Sequence, residues 1–125
     1  MNGQSERGFS VTIDGRYQDL KSLRERVSGW LLAQGINGAV GDQIVLATHE
    51  AAAGAIETGH SKITIAASVG REVAVVSVTT EGLTPVLDLR DYEERFRLLN
   101  RLASAVRVET TSSHSSLRLE LPASA

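Results

Sequence analysis

The sequence predicts an α+β domain, a two-layer α/β sandwich in which three helices cover one face of a mixed, mostly antiparallel sheet of about five strands. Two observations support this class. Apolar residues recur at helical spacing in three segments and alternate with polar residues in five others. The strand segments also come in pairs that short turns can join. The predicted order is therefore β, α, α, β, β, α, β, β.

The first two elements are an edge strand and an amphipathic helix. A polar tail at about residues 1–7 precedes Gly8–Asp14, where apolar and polar residues alternate as in a half-buried strand. Helical spacing then predicts a helix over Tyr17–Gln34, with Gly35 as its C-terminal cap. The residues that share its apolar face are Leu20, Leu23, Val27, Trp30 and Leu31.

The second helix is predicted at about Asp42–Thr58, with Asp42 as its N-cap and Gly59 after its end. Its inner stripe consists mostly of small residues, namely Ile44, Ala47, Ala51, Ala55 and Thr58. Small side chains let a helix lie close to a sheet, or they leave room beside it for another group. The pattern does not choose between these two arrangements.

The second half of the chain returns to strands, with one more helix. Gly70 and Arg71 separate two β-rich runs, which is the pattern of a hairpin with a two-residue loop. The predicted elements are strands at Ser61–Val69 and Glu72–Thr79, a long surface loop at Thr80–Asp91, a helix at Tyr92–Val106, and a hairpin of Val106–Thr111 and Ser116–Leu121.

Length and composition indicate a single domain over residues 1–125 with enough apolar material for a core, because 42% of the residues are hydrophobic and 22% are charged. The net charge of −2 argues against a nucleic-acid partner. The chain has no cysteine, no apolar leader and no apolar run long enough to span a membrane. We therefore expect a soluble cytoplasmic protein that contacts no membrane.

The most informative run is VLATHEAAAGAIETGH, in which Glu50 lies among alanines in the middle of the second helix. Gly54 and Glu57 follow on the same helical face. The residues alone leave two interpretations open. Glu50 and Glu57 either face water, as most helical carboxylates do, or Glu50 is a general base. The spacing of His49, His60 and His114 does not indicate a metal site.

With this helix in place, nearly the whole chain resembles the anti-sigma-factor serine kinases, a bacterial branch of the GHKL ATPases with the Bergerat fold. Typical members carry a helix of the form L-A-x-x-E-A-x-x-N-A-x-x-H-G, a hairpin, a D-x-G-x-G loop, a glycine-rich lid, and a final helix and hairpin. The resemblance implies that Glu50 corresponds to the catalytic glutamate, which accepts a proton from the substrate hydroxyl that attacks the γ-phosphate.

The nucleotide-binding positions implied by the resemblance depart from the family pattern. Gly54 stands where the family has the asparagine that holds magnesium. Thr80 stands where an aspartate receives the adenine amino group, so only a weaker, uncharged acceptor remains. Gly82 matches the first glycine of the loop motif, whereas Thr84 replaces the second. ATP and magnesium are therefore implied as cofactors only if this altered site is still active.

The lid is altered as well. The family's G-x-G-L stretch corresponds here to EERF, in which Glu93 and Arg95 replace glycines whose backbone approaches phosphate. Asp88, Asp91 and Glu94 add negative charge to the region, which a triphosphate would meet as like charge. The loss of the magnesium ligand, the adenine acceptor and the lid glycines together indicates a degenerate nucleotide site.

These departures favour a regulatory module that binds a sigma factor or an anti-anti-sigma factor without efficient phosphoryl transfer. One alternative is an active serine kinase that phosphorylates an anti-anti-sigma factor, with Glu50 as the base. In that case water, backbone carbonyls or Glu57 replace the missing magnesium ligand. A further alternative is a homodimerisation module without catalysis.

Overall fold

Five antiparallel strands form one sheet with the spatial order β1-β2-β3-β5-β4. The computed structural model describes residues 8–82, 84–87 and 93–124. The strands are β1 (Gly8–Ile13), β2 (Ile63–Val69), β3 (Val73–Glu81), β4 (Ala105–Thr110) and β5 (His114–Pro122), and the helices are α1 (Asp19–Ala33), α2 (Gly38–Glu57) and α3 (Glu93–Leu102). The predicted α+β class and element order are confirmed. Every described strand pair is antiparallel, whereas the prediction was a mixed, mostly antiparallel sheet.

One face of the sheet carries the hydrophobic core. Residues at alternate positions of the three inner strands are fully buried beneath the helices: Ile63, Ile65, Val76, Val78, Leu117, Leu119 and Leu121. The intervening residues, such as Thr64 and Ser77, point to the other face and are only partly buried. The described helices therefore pack on one side of the sheet, as the two-layer prediction requires.

Helix α1 matches its predicted apolar face. Leu20, Leu23, Val27 and Leu31 are buried. Trp30 is partly buried, and its ring lies 5.7 Å from that of Phe9 on the edge strand β1. The backbone of Gly35 has a φ of 80°, the left-handed conformation of a glycine that ends a helix. The edge-strand prediction for β1 is likewise confirmed, since β1 pairs only with β2 among the described strands.

Helix α2 begins earlier than predicted. It starts at Gly38, the preceding Asn37 is extended with a φ of −145°, and no side chain caps the helix. The prediction of Asp42 as the N-cap is therefore wrong. Glycine has low helix propensity, yet Gly41 is buried and its amide donates to the Asn37 carbonyl at 3.4 Å, so the helix includes this stretch. Ten residues of α2 are buried, which makes it the central helix of the layer.

The segment after β3 also differs from its prediction. β3 includes Thr80 and Glu81, and Val86 and Leu87 are buried rather than part of a surface loop. Helix α3 ends at Leu102, because the Ser104 amide donates to the Glu120 carbonyl and strand pairing takes over from the helix. The predicted loop and helix residues 88–92 lie outside the described residues. No described helix is long and apolar enough to cross a membrane.

Two glycines provide a test of this fold. Gly15 has a φ of 75°, and a Cβ there would lie 2.2 Å from the backbone oxygen of His60. We expect Gly15→Ala to lower the free energy of unfolding by about 2 kcal/mol or more. The matched control Gly29→Ala, in α1 with no atom within 4 Å of the new Cβ, is expected to raise it by about 0.5–1 kcal/mol. Urea unfolding measures both, and equal effects would contradict this account.

Candidate functional site

The site begins with three residues on one face of α2. Glu50, Gly54 and Glu57 share this face because they are four and three residues apart along a helix. The face is turned toward α3. The Glu50 side chain is 19% exposed and the Glu57 side chain 28% exposed. Neither carboxylate therefore simply faces water, which was one of the two interpretations of the sequence.

Arg95 on α3 bridges the two carboxylates. Its Nη1 donates to Glu50 Oε1 at 2.5 Å and to the Glu50 backbone oxygen at 3.2 Å. Its Nη2 donates to Glu57 Oε1. A guanidinium presents several donors in a fixed plane, so one arginine can pair with two acidic residues that lie about two turns apart on one helical face. The contact fastens α3 to α2 at the point where a catalytic glutamate was predicted.

Gly54 provides the space for this bridge. A Cβ at this position would lie 2.6 Å from Leu87 Cδ1 and 2.8 Å from Arg95 Cδ. Real side chains do not approach that closely, so the stem of Arg95 and the Leu87 side chain both depend on the absence of a side chain at Gly54. The position at which the resemblance implied a magnesium ligand is thus covered by the protein itself.

The other predicted nucleotide positions lie at the end of β3. Thr80 is 1% exposed, and its Oγ1 has no hydrogen-bond partner among the described residues. Gly82 and Thr84 are exposed, and the Gly82 amide donates to the Ser113 carbonyl in the β4–β5 turn at 2.8 Å. The structure thus brings Glu50 and Gly54 together on α2, but Gly82 and Thr84 lie at the surface.

The segment 84–87 folds inward beside Thr80. The Val86 amide donates to Ser115 Oγ at 3.2 Å, and Ser115 is the cross-strand neighbour of Thr80. The Pro85 carbonyl lies 2.9 Å from His60 Nε2, just after α2. These contacts hold Leu87 in the core and over Gly54.

The described residues around Gly54 do not fit a magnesium nucleotide. The unpartnered hydroxyl of Thr80 could accept one hydrogen bond from a base. Gly54, however, offers no oxygen to a metal ion, and Leu87 and Arg95 fill the space above it. Both carboxylates are already paired with Arg95. Among the described residues, no group of three or more histidine, aspartate or glutamate side chains is arranged to hold a metal ion.

A histidine extends the charged contacts toward α1. Arg24 Nη1 on α1 lies 2.9 Å from His49 Nδ1, and His49 Nε2 lies 3.8 Å from Glu50 Oε2. The pKa of His49 is lowered from its ordinary value, first by burial and then by the Arg24 charge. Glu50 raises this pKa, and Arg95 lowers it further. Five polar side chains therefore connect the three helices in one sequence of contacts.

A further cavity lies on another side of the sheet. It has a volume of about 810 Å³ and is lined by Thr12, Thr64 and Thr79, whose strand positions face away from the helices. It therefore opens on the uncovered face of the sheet, on the opposite side from Glu50. Two of the predicted nucleotide-site positions, Thr80 and Gly82, line it, whereas Glu50 and Gly54 do not.

Sequence reasoning missed the roles of Arg95, Leu87 and His49. Arg95 was noted only as a replacement for a lid glycine, and Leu87 was included in a surface loop. The sequence did contain one signal: a side chain is missing at Gly54 and a cation is added in the lid. Two acidic residues on one helical face need a positively charged partner when they are partly buried, and the added cation can provide it. That signal does not identify which arginine is the partner.

Comparison with known proteins supports the fold. No protein-family profile matches the chain, and no curated protein matches it in sequence. Among solved structures, the chain is similar to the crystal structure of the RsbU and RsbW domains of Rv1364c from Mycobacterium tuberculosis, with a TM-score of 0.70 and 20% sequence identity. The match covers 91% of this chain and 32% of that one. At this identity the likeness establishes a shared fold.

The close packing at Gly54 predicts a large effect of one methyl group. We expect Gly54→Ala to lower the free energy of unfolding by about 1–2 kcal/mol, because the new Cβ overlaps Leu87 and an arginine that two carboxylates hold in place. Urea unfolding measures the change against Gly29→Ala. A stabilising effect of Gly54→Ala, as helix propensity alone would produce, would show that Arg95 does not cover this position.

The lowered pKa of His49 predicts the sign of a pH effect. The unfolded chain binds a proton at this residue more tightly than the folded chain does, so His49 contributes stability that is fully present above about pH 6.5. This contribution is lost as the pH falls toward the lowered pKa of the folded state. We expect the free energy of unfolding to decrease between about pH 7.5 and about pH 5.5, and to decrease less in His49→Gln. Identical pH profiles would refute the assignment to His49.

Proposed function

We propose that this chain is a regulatory module similar to anti-sigma factors, which binds a protein partner without the help of a nucleotide. The observation that carries the proposal is the Arg95 side chain, which lies across Gly54 and pairs with both Glu50 and Glu57. A site closed by the protein's own residues cannot use nucleotide binding as its signal. Partner binding is then independent of ATP.

The fold supports this class of function at a coarse level. The fold shared with the chain that contains RsbU and RsbW domains suggests an anti-sigma factor-like regulator. The proposed partner is a sigma factor, an anti-anti-sigma factor, or each in turn. The proposal includes that residues 1–125 act as one domain in the cytoplasm, because 125 residues suit one domain and a cysteine-free chain needs no oxidising compartment.

The contacts of Glu50 do not favour catalysis. A general base must have an oxygen within hydrogen-bond reach of the proton that it removes. Glu50 Oε1 is bonded to Arg95, and Oε2 is 3.8 Å from His49 Nε2. A substrate hydroxyl would compete with a charged, two-armed donor for the same carboxylate. The alternative of an active serine kinase therefore requires Arg95 to leave this position first.

The same contacts explain how binding could be constant. A ligand shifts a conformational equilibrium only by its differential affinity for the two states. In this chain α3 is held on α2 by Arg95 and by Gln43, whose Nε2 donates to the Leu102 carbonyl at 2.5 Å. The helical layer therefore keeps one arrangement without a ligand, and a partner that recognises it meets the same surface whether or not ATP is present.

Calorimetric titration with ATP and with ADP in the presence of magnesium tests the closed site. We expect no binding heat up to about millimolar nucleotide, which corresponds to an affinity weaker than about 4 kcal/mol. An active kinase of the resembled family, titrated in parallel, controls for nucleotide quality. Micromolar binding would contradict the proposal and would favour the kinase alternative.

A second titration uses candidate sigma factors and anti-anti-sigma factors as partners. We expect the Kd for the partner to be the same within about twofold with and without magnesium ATP, because the protein does not bind the nucleotide. A Kd that changes tenfold with nucleotide would overturn the proposal. Transfer of the γ-phosphate to a partner that is abolished by Glu50→Gln would establish the kinase alternative instead.

A further inference from the structure

Contacts between polar side chains run across the whole helical layer. Arg24 on α1 contacts His49 on α2, His49 lies beside Glu50, and Glu50 pairs with Arg95 on α3. Arg95 also forms an ion pair with Glu57 at the C-terminal end of α2. Because the contacts share residues, a change of charge at one of them alters the energy of the others. His49 is the member whose charge changes near neutral pH.

The contact with Arg24 defines the protonation of His49. Arginine has only donors, so the His49 Nδ1 at 2.9 Å from Arg24 Nη1 must be the acceptor. The single ring proton of the neutral imidazole is then on Nε2, on the side of Glu50 Oε2. In this state Glu50 has one full positive partner, Arg95, and one uncharged neighbour, His49.

A proton added to Nδ1 would face the Arg24 guanidinium, and their hydrogen bond would be lost. The charged groups around His49 among the described residues are Arg24 from α1, Glu50 from α2 and Arg95 from α3. After protonation Glu50 has two cationic neighbours, the His49 imidazolium and Arg95, and the imidazolium competes with Arg95 for Glu50. Linkage is reciprocal: since Arg95 opposes protonation of His49, protonation of His49 must weaken the binding of Arg95.

Helix α3 is the element that responds to such a change. Of its ten residues Leu99 is buried, and Phe96 and Leu102 pack partly buried against the core, whereas α1 has four buried residues and α2 has ten. The packing of α3 therefore depends strongly on Arg95, whereas neither α1 nor α2 depends as much on a single ion pair. A helix with few buried apolar residues is also the kind of element that opens locally without global unfolding.

We propose that His49 is a proton-operated switch that loosens α3 from Gly54 when it becomes charged, by drawing Glu50 away from Arg95. The switch uses the same Arg95 contact as the proposed function. The two fail separately, because nucleotide titration tests whether the site is closed and the experiment below tests whether a proton opens it. In neutral conditions α3 covers α2, and in mildly acidic conditions the face of Glu50, Gly54 and Glu57 becomes exposed.

Amide hydrogen exchange of the whole chain, resolved by mass spectrometry, tests the switch. Exchange is compared in steps from about pH 7.5 to about pH 5, a range that extends below the ordinary histidine pKa because that of His49 is lowered, with exposure times scaled for the intrinsic pH dependence of exchange. We expect the protection of α3 to fall by about fivefold or more beyond any fall in α1, which serves as the internal reference for global stability. Equal loss of protection in all three helices would mean global destabilisation and would overturn the proposal.

Three variants identify the group responsible. In His49→Gln an uncharged side chain still offers Arg24 an acceptor, and the response of α3 should disappear. The matched control His114→Gln removes an exposed histidine in a distant hairpin and should retain the full response. Arg24→Gln removes the charge that lowers the pKa of His49, so the midpoint of the response should move to higher pH. A response that persists in His49→Gln, or a midpoint that Arg24→Gln leaves in place, would refute the switch.

Discussion

The bridge from Arg95 to Glu50 and Glu57 determines the arrangement of the rest of the helical layer. Two carboxylates on one face of a partly buried helix repel each other and are poorly hydrated, so they require a cation between them. A guanidinium can meet that need only if its stem lies flat on the helix, and Gly54 is the residue that permits this approach. The position of α3 and the inward path of Leu87 both follow from that contact.

The sequence predicted correctly those elements whose residues follow a local repeating pattern, and it predicted less well the helix ends that no such pattern marks. The alternation in β1 and the apolar face of α1 are repeated locally, and the structure confirms both. The start of α2 and the end of α3 were wrong by several residues. Helix α2 runs through Gly38 and Gly41 although glycine has low helix propensity, and the Ser104 amide pairs with Glu120, sixteen residues away, in place of a further turn of α3. Neither outcome follows from the local sequence pattern.

The candidate site was predictable in its parts but not in its assembly. Glu50 and the altered position at Gly54 were found because they share one helix with regular spacing. Arg95 comes forty-one positions after Gly54, and nothing periodic connects them. In the sequence, the missing magnesium ligand at Gly54 and the extra cation in the lid therefore looked like two unrelated departures from the family pattern. In the structure the two changes belong together, because the Arg95 side chain lies in the space that a side chain at position 54 would occupy.

The connections between strands have a consequence for the order of folding. β2 with β3, and β4 with β5, are joined by tight turns, so these pairs can form by closing very short loops. β1 is different, because Ile13 pairs with Ile63 and both long helices lie between them in the chain. Its pairing must await the collapse of α1 and α2 onto the sheet. β1 is therefore added last, and until then β2 is a temporary edge of the nascent sheet, whereas β4 is an edge of the complete described sheet as well.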